Sequence, residues 1–327
     1  MSFKVIQYGL GEIGTEVARS LAQRVGFELV GAIDIAAGKV GKDLGEMLGI
    51  TGLRGIIVSD KPEEIFEQAG PDVVTHSTGS FFDQVYPQLE QIIKAGINIV
   101  STTEELLFPW YRHPNLAEKL DNLAQKHGVT VLGTGINPGF VMDELVLSLA
   151  SVCRKVERVH AKRILDAGRR RGPLQKKVGA GITQQEFQER VRRKTIGHVG
   201  LTESVAFIAA GLGWKLESIN ETISPVLSDK AVQTDFVQVN KGQVAGIKMQ
   251  AFGEIDGKKV IALELQMYVG AESCYDAIYL EGDPSFQTKI EGGVPGDIAT
   301  VSKVLNSIPR VIHEKPGLLR PLNVSLI

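Results

Sequence analysis

The sequence predicts an α/β protein of two domains: a Rossmann-type doubly wound parallel sheet, then an α+β domain with a mixed or antiparallel sheet. Three observations carry this expectation. The 327 residues exceed one ordinary hydrophobic core. Short, continuously apolar runs alternate with helical stretches through the first third, as in strands buried on both faces. From about Leu145 that alternation gives way to longer runs of mixed polarity and a hairpin signal.

Lys4–Tyr8 reads as the first strand, followed by a glycine loop and an amphipathic helix over Gly14–Val25. Leu29–Asp34 reads as the second strand and Gly55–Val58 as the third; Ser59 or Asp60 can then cap the helix PEEIFEQA. Asp72–His76 is the fourth strand, with a helix over Asp83–Lys94. Asn98–Ser101 and Val129–Leu132 follow, separated by a helix over Asn115–Lys126. In the second domain, strands are expected over Val156–Leu165, Ile247–Glu254, Val260–Val269 and Asp276–Leu280. Asp256-Gly257 marks a tight hairpin between two of them. Helices are expected over Gln184–Arg193 and Leu201–Ala210. The tail from Gly292 onward reads as helical, with Pro295 suited to a first turn. The expected division is a dinucleotide domain of residues 1–143, with about 293–327 packing back on it, and a substrate or dimerisation domain of 144–292.

Composition narrows the function. Net charge is only −2, so no electrostatic field calls for a nucleic-acid or anionic-membrane partner. Cys153 and Cys274 lie far apart and outside any C-x-x-C pattern, which argues against a disulfide framework or a metal site and for a reducing cytoplasm. Lys4 and Gln7 interrupt the N-terminal apolar run, unlike a signal peptide. No apolar run approaches the roughly 18–20 residues that span a bilayer. A cytoplasmic protein is expected.

Gly9-Leu10-Gly11-Glu12-Ile13-Gly14 matches G-x-G-x-x-G between a strand and a helix, and Asp34 ends the next strand 20 residues later. The logic is specific. Gly9 permits the tight turn, Gly11 leaves room for a pyrophosphate, and Gly14 lets helix and strand pack closely. The helix N-terminus offers N–H groups to phosphate. Asp34 suits the adenosine ribose hydroxyls and would repel a 2′-phosphate, so NAD is preferred over NADP, although Lys39 and Lys42 lie close enough in sequence to rescue the phosphate. Three later loops leave strand ends on the same side. Ser77 and Thr78, in His76–Ser80, suit the nicotinamide ribose or a helix cap. In Ser101–Glu105, Glu104 faces the ligand side and Glu105 solvent, or the reverse. In Gly133–Phe140, Asn137 suits the carboxamide and Phe140 a substrate wall; the same glycines also suit a hinge.

These motifs resemble those of the 2,4-diaminopentanoate dehydrogenases and related native amine dehydrogenases, with a more distant likeness to dihydrodipicolinate reductase in the nucleotide domain. The resemblance runs almost end to end. It rests on GLGEIG, KVGKDLGE at 39–46, STTEEL, GTGINPGFVMD, RILDAGRRRGPLQKKVGAG at 163–181, GHVGLTES at 197–204, IYLEGDP and GGVPGDIAT. It implies oxidative deamination of a primary amine, reversible as reductive amination of a ketone with ammonia. It also implies a catalytic role for Glu104, the first position of the acidic pair, and a homodimer. Glu104 is then the base that deprotonates a bound ammonium. A carboxylate-bearing substrate needs a cationic clamp, for which Arg163, Arg169, Arg170, Arg171, Lys176 and Lys177 are candidates. Phe140, Val141, Arg171 and His198 are the expected substrate residues. A homoserine dehydrogenase-like alcohol oxidoreductase and a non-catalytic dinucleotide sensor are the alternatives.

Overall fold

The computed structural model describes residues 2–320. Two compact units emerge among the described residues, unit 1 over 2–139 with 295–320, and unit 2 over Phe140–Val294. Of the expected C-terminal segment, 321–327 lie outside the described residues.

Unit 1 begins β1 (Phe3–Tyr8), α1 (Glu12–Gln23), β2 (Phe27–Ile33), α2 (Leu44–Leu48) and α3 (Pro62–Ala69). It continues β3 (Val73–His76), α4 (Phe82–Lys94), β4 (Asn98–Ser101), a 3-10 turn (Glu104–Leu107), α5 (Pro114–His127) and β5 (Thr130–Gly133). After unit 2 the chain returns with α10 (Gly296–His313) and β14 (Gly317–Leu319). All pairings in its sheet are parallel, in the order β14-β5-β4-β3-β1-β2. Consecutive strand residues turn to opposite faces, and both faces are apolar. Val5, Val73, Val100 and Leu132 pack with α1, α2 and α10, while Ile6, Val74, Ile99 and Val131 pack with α3, α4 and α5. Val17, Ala18 and Leu21 recur at helical spacing on the buried stripe of α1.

Three expectations fail here. Gly55–Val58 is not a strand: only isolated bridges, Asp43 to Ile57 and Ile33 to Ser59, tie this stretch to its neighbours. Its backbone instead folds onto residues 41–44, with Val58 N–H donating to Lys42 and Leu44 N–H to Ile56. Nor do Ser59 and Asp60 cap α3. Lys61 occupies that position without a side-chain capping bond, and Pro62 opens the helix, where a missing N–H costs nothing. Pro295, expected within the last helix, instead stands at its N-cap.

Unit 2 contains α6 (Glu144–Ala150), β6 (Lys155–Asp166), α7 (Gly172–Lys177), α8 (Gln184–Arg192) and α9 (Leu201–Gly211). Then come β7 (Ser218–Leu227), β8 (Val232–Gln233), β9 (Gln238–Val239), β10 (Val244–Ile255), β11 (Lys258–Tyr268), β12 (Tyr275–Asp283) and β13 (Phe286–Glu291). The large sheet runs β13-β12-β6-β11-β10-β7. It is mixed: β6 and β11 pair in parallel, while its other pairs are antiparallel. The Asp256-Gly257 turn has φ of 49° and 66°, the doubly left-handed geometry its sequence favours. Helix α9, buried along most of its length, packs on β7, β10 and β11. Along β11 the alternate residues Ile261, Leu263 and Leu265 are fully buried. The other face carries the row Lys162, Glu264, Gln250 and Thr222. Among the described residues, no helix is long and apolar enough to cross a membrane.

Candidate active site

Ligands of a doubly wound sheet bind beyond the carboxyl ends of its strands, where the strand order reverses. In unit 1 that reversal lies between β1 and β3.

Each glycine of the β1–α1 loop has its own task. Gly9 has φ +90°, and a Cβ there would stand 2.5 Å from the Ser77 carbonyl oxygen. A Cβ on Gly14 would lie 1.9 Å from the Gly9 oxygen, so only hydrogen lets α1 begin this close to the loop. At Gly11 a Cβ would meet nothing within 4 Å. Gly11 is the N-cap of α1, so this open space adjoins the helix end whose first-turn N–H groups have no partner within the helix. An open anion cradle on a helix N-terminus fits a dinucleotide pyrophosphate. Leu10 is buried, Ile13 half-buried and Glu12 exposed. Sequence reasoning missed the residue beneath the loop. Gln7, fully buried, donates from Nε2 to the Gly9 oxygen at 2.8 Å and accepts from Thr75 Oγ1 at 2.7 Å.

Asp34 lies at the expected strand end, but its carboxylate is tied into the protein. Oδ2 accepts from Leu10 N–H at 2.7 Å and pairs with Lys39 Nζ at 3.1 Å, while Oδ1 accepts from Ala36 N–H at 2.8 Å. Burial alone would raise the Asp34 pKa; the two N–H groups and Lys39 outweigh it and hold the carboxyl below its ordinary value. Lys39 also donates to the Leu10 oxygen at 2.7 Å. The charge expected to repel a 2′-phosphate is thus neutralised in place, whereas Lys42 is exposed.

The loops after β3, β4 and β5 are joined at the same edge. Thr102 N–H donates to the His76 oxygen at 2.9 Å, and Thr134 N–H to the Ser101 oxygen at 2.8 Å. Ser77 is half-buried and Thr78 exposed. Thr78 Oγ1 donates to Gln88 Oε1 at 2.6 Å. The two glutamates divide, and Glu105 is not the solvent-facing one. It is buried, accepting from Phe82 N–H at 2.8 Å, with His113 Nε2 at 3.2 Å and Arg112 Nε at 3.9 Å. Asp83, Glu105 and His113 bring their ligand-type atoms within 4.8 Å of one another. The Arg112 guanidinium already supplies Glu105 with cationic charge, so this group is read as structural. Glu104 is half-buried and opens the 3-10 turn after β4.

The glycines of 133–139 serve packing. A Cβ at Gly133 would stand 2.4 Å from the Leu106 oxygen of the 3-10 turn, and one at Gly139 2.5 Å from Gly135 N. Asn137 is half-buried beside Pro138. A cavity of about 480 Å³ lined by Glu63, Phe66, Gln91 and Lys94 lies elsewhere, beside the Gly70-Pro71 and Gly96-Ile97 approaches to β3 and β4. That is the amino-terminal edge of the sheet, away from the dinucleotide loop.

In unit 2, Phe140 is half-buried and Val141 buried. Arg163 leaves the list of carboxylate clamps. It is 1% exposed, paired with Asp276 at 2.8 Å, and donates to the Val294 oxygen at 2.6 Å. Arg169 turns outward beside Asp166. Arg171 is the half-buried N-cap residue of α7, and Lys176 and Lys177 are exposed. His198 Nδ1 lies 2.7 Å from the Val199 oxygen. Burial, then Lys177, Arg163 and Arg170, push the His198 pKa down to about 4. The ring is therefore neutral near pH 7. Because the carbonyl only accepts, the proton sits on Nδ1 and Nε2 is an acceptor.

Comparison with known proteins agrees with both halves of the fold. The family model described as the 2,4-diaminopentanoate dehydrogenase C-terminal domain matches residues 140–327, and that of the dihydrodipicolinate reductase N-terminus matches 3–134. The chain is 33% identical to a 2,4-diaminopentanoate dehydrogenase of Acetoanaerobium sticklandii, over 96% of this chain and 91% of that protein. It is 21% identical to an amine dehydrogenase of Streptomyces virginiae, over 98% and 96% of the two chains. Its structure is similar to that of an amine dehydrogenase from Mycobacterium smegmatis, with a TM-score of 0.88, 27% identity, and coverage of 99% of this chain and 96% of that one. On these matches, joined to the glycine cradle and the acidic loop, the chain belongs to the 2,4-diaminopentanoate dehydrogenase family.

Proposed function

We propose that this chain is an NAD(P)-dependent amine dehydrogenase. It oxidatively deaminates a primary amine, 2,4-diaminopentanoate or a close relative, and in reverse aminates a ketone with ammonia. The observation that carries this reading is the half-buried carboxylate of Glu104 on the β4 loop, in a chain whose relatives are named for amine oxidation.

Gly9–Gly14 hold the pyrophosphate, with Asp34 at the adenosine ribose and Ser77, Thr78 and Asn137 at the nicotinamide end. When bound, the nicotinamide supplies a hydride acceptor. Glu104 provides what the substrate lacks. A bound ammonium has no lone pair to drive hydride loss, and Glu104 takes its proton. Having released that proton to solvent, the carboxylate offsets the positive charge developing on the substrate nitrogen and orients the water that attacks the carbon. Phe140 and Val141 shape the apolar side of the substrate pocket. Arg171 receives a substrate carboxylate, and His198 Nε2 accepts a hydrogen bond from a substrate N–H. Asp34 favours NAD, with Lys39 leaving NADP accessible. A cytoplasmic homodimer, joined through the polar sheet face around Lys162 and Glu264, completes the reading; its mass in solution tests the assembly.

The functional experiment is a panel of 2,4-diaminopentanoate, simple amines and homoserine with NAD and NADP, and ketones with and without ammonia. Amine-dependent reduction of the dinucleotide, with ammonia-dependent reversal, is expected. Turnover of homoserine alone would make the protein an alcohol oxidoreductase; dinucleotide binding without any turnover would make it a sensor.

A further inference from the structure

We propose that His76 is a positioning residue for the loop that carries Glu104, a role that rests on the amine-dehydrogenase reading for its kinetic consequence. His76 ends β3 and is fully buried, in register with Ser101 at the end of β4. One edge of its ring reaches α4 and the β3 loop: Nε2 lies 2.8 Å from Gln88 Oε1 and 2.8 Å from Thr78 Oγ1. The other edge reaches β4, with Nδ1 3.0 Å from Ser101 Oγ. Tyr8 packs edge-on against the ring, with centroids 5.7 Å apart.

Burial pushes the His76 pKa down to about 4, against the raising effect of Gln88, so the imidazole is neutral near pH 7. A neutral ring has one donor and one acceptor. Gln88 Oε1 can only accept, which places the proton on Nε2 and leaves Nδ1 to accept from the Ser101 hydroxyl. With its proton so committed, Ser101 Oγ accepts from Thr103 N–H at 3.2 Å; Thr103 Oγ1 stands 3.0 Å away. Thr103 is buried and caps the 3-10 turn that begins at Glu104. The chain of bonds from α4 through Gln88, His76, Ser101 and Thr103 therefore ends on the residue before the proposed base. Glu105 N–H donating to the Ser80 oxygen at 3.2 Å fixes the residue after it. Glu104 is bracketed on both sides by contacts to the β3 strand end and its loop.

A histidine suits this post because a rigid ring spans two elements with opposite hydrogen-bonding character at its ends. Leucine would take one partner each from the buried Ser101 hydroxyl and the Gln88 oxygen, leaving them only Thr103 and Thr78 and cutting the link between α4 and β4. Asparagine can return an acceptor close to where Nδ1 stands. The test compares His76→Leu, His76→Asn and Ser101→Ala by three measurements: amide hydrogen exchange over residues 101–107, dinucleotide affinity, and kcat against KM for an amine substrate. In His76→Leu, exchange over 101–107 should accelerate at least roughly tenfold, and kcat should fall about 10–100-fold, as expected when a reacting group is misplaced by about 1 Å. Amine KM should stay within about threefold, because the unit 2 residues are not touched; dinucleotide Kd should stay within about threefold in Ser101→Ala, which leaves the Thr78 contact of His76 in place. His76→Asn should recover most of both losses, and Ser101→Ala should reproduce the His76→Leu pattern. If His76→Leu does not fold, Ser101→Ala decides. Unchanged exchange with kcat within twofold of wild type, or equal damage in the Asn and Leu variants, overturns the proposal. A wild-type protein that oxidises no amine refutes the functional reading instead, and the exchange measurement still decides whether His76 holds the loop.

Discussion

Replacing Asp276 by Asn should be among the most damaging single changes in unit 2, and the structure gives its size. Asp276 on β12 and Arg163 on β6 are cross-strand partners, each side chain about 1% exposed. Burial raises the Asp276 carboxyl above its ordinary pKa and lowers the Arg163 guanidinium below its own, so desolvation outweighs their attraction at 2.8 Å. Among the described residues, Arg163 Nε and Asp276 Oδ1 also have no hydrogen-bond partner. Such a pair adds little net stability, yet removing one charge strands the other in a dry site, at a cost of about 3–5 kcal/mol. For a unit the size of unit 2, that corresponds to a fall in Tm of roughly 6–20 °C. Arg163→Met combined with Asp276→Leu should recover much of the loss but not all. Val294 N–H donates to Asp276 at 2.7 Å and its oxygen accepts from Arg163 at 2.6 Å, and both bonds go, at about 1 kcal/mol each. Urea unfolding of the three proteins measures the series. An Asp276→Asn protein within about 1 kcal/mol of wild type would refute the reasoning, as would a double variant less stable than the single.

Glu264 gives a pH signature. Burial would raise its carboxyl, but Gln266, Lys162 and Lys248 outweigh burial and bring the pKa down to about 2. A lowered folded-state pKa contributes stability above the unfolded value and loses it as pH falls through the folded one. Glu264→Gln should therefore cost roughly 3 kcal/mol at pH 7 and flatten the loss of stability between about pH 5 and 2, checked by urea unfolding across pH. Lys39→Ala leaves Asp34 uncompensated at the adenosine end; NADP affinity should fall roughly tenfold while NAD affinity changes little, read by titration of the two dinucleotides.

Much of the fold was legible because its signals are local. The glycine loop, the strand before it and Asp34 lie within one short stretch, and each constrains the others. The Asp-Gly hairpin likewise needs only its own residues. The losses occur where pairing is decided by distant chain. Gly55–Val58 has the apolar look of a strand, but no neighbour extends its two isolated bridges into a ladder. Strand β7 went unseen because Asn220, Glu221, Thr222 and Ser224 are polar and Pro225 interrupts; as an edge strand it is held through the β10 backbone. The three residues of β14 join the sheet only because α10 returns them to β5. The parallel β6–β11 pair has no sequence mark at all. In the site, the place of Glu104 follows from the end of β4, but the burial of Glu105 depends on Phe82, Arg112 and His113 converging from other elements. His76 is a lone histidine at a strand end. Its partners Gln88 and Ser101 are 12 and 25 residues away, and no spacing rule connects them.

The proposed chemistry stands on Glu104 removing a proton from the amine before hydride leaves. Single-turnover reduction of the dinucleotide by an amine substrate, compared between wild type and Glu104→Gln, tests this most directly. The rate should be roughly 10²–10⁴ lower in the variant, with dinucleotide affinity unchanged. A variant that reduces the dinucleotide at near the wild-type rate would contradict it.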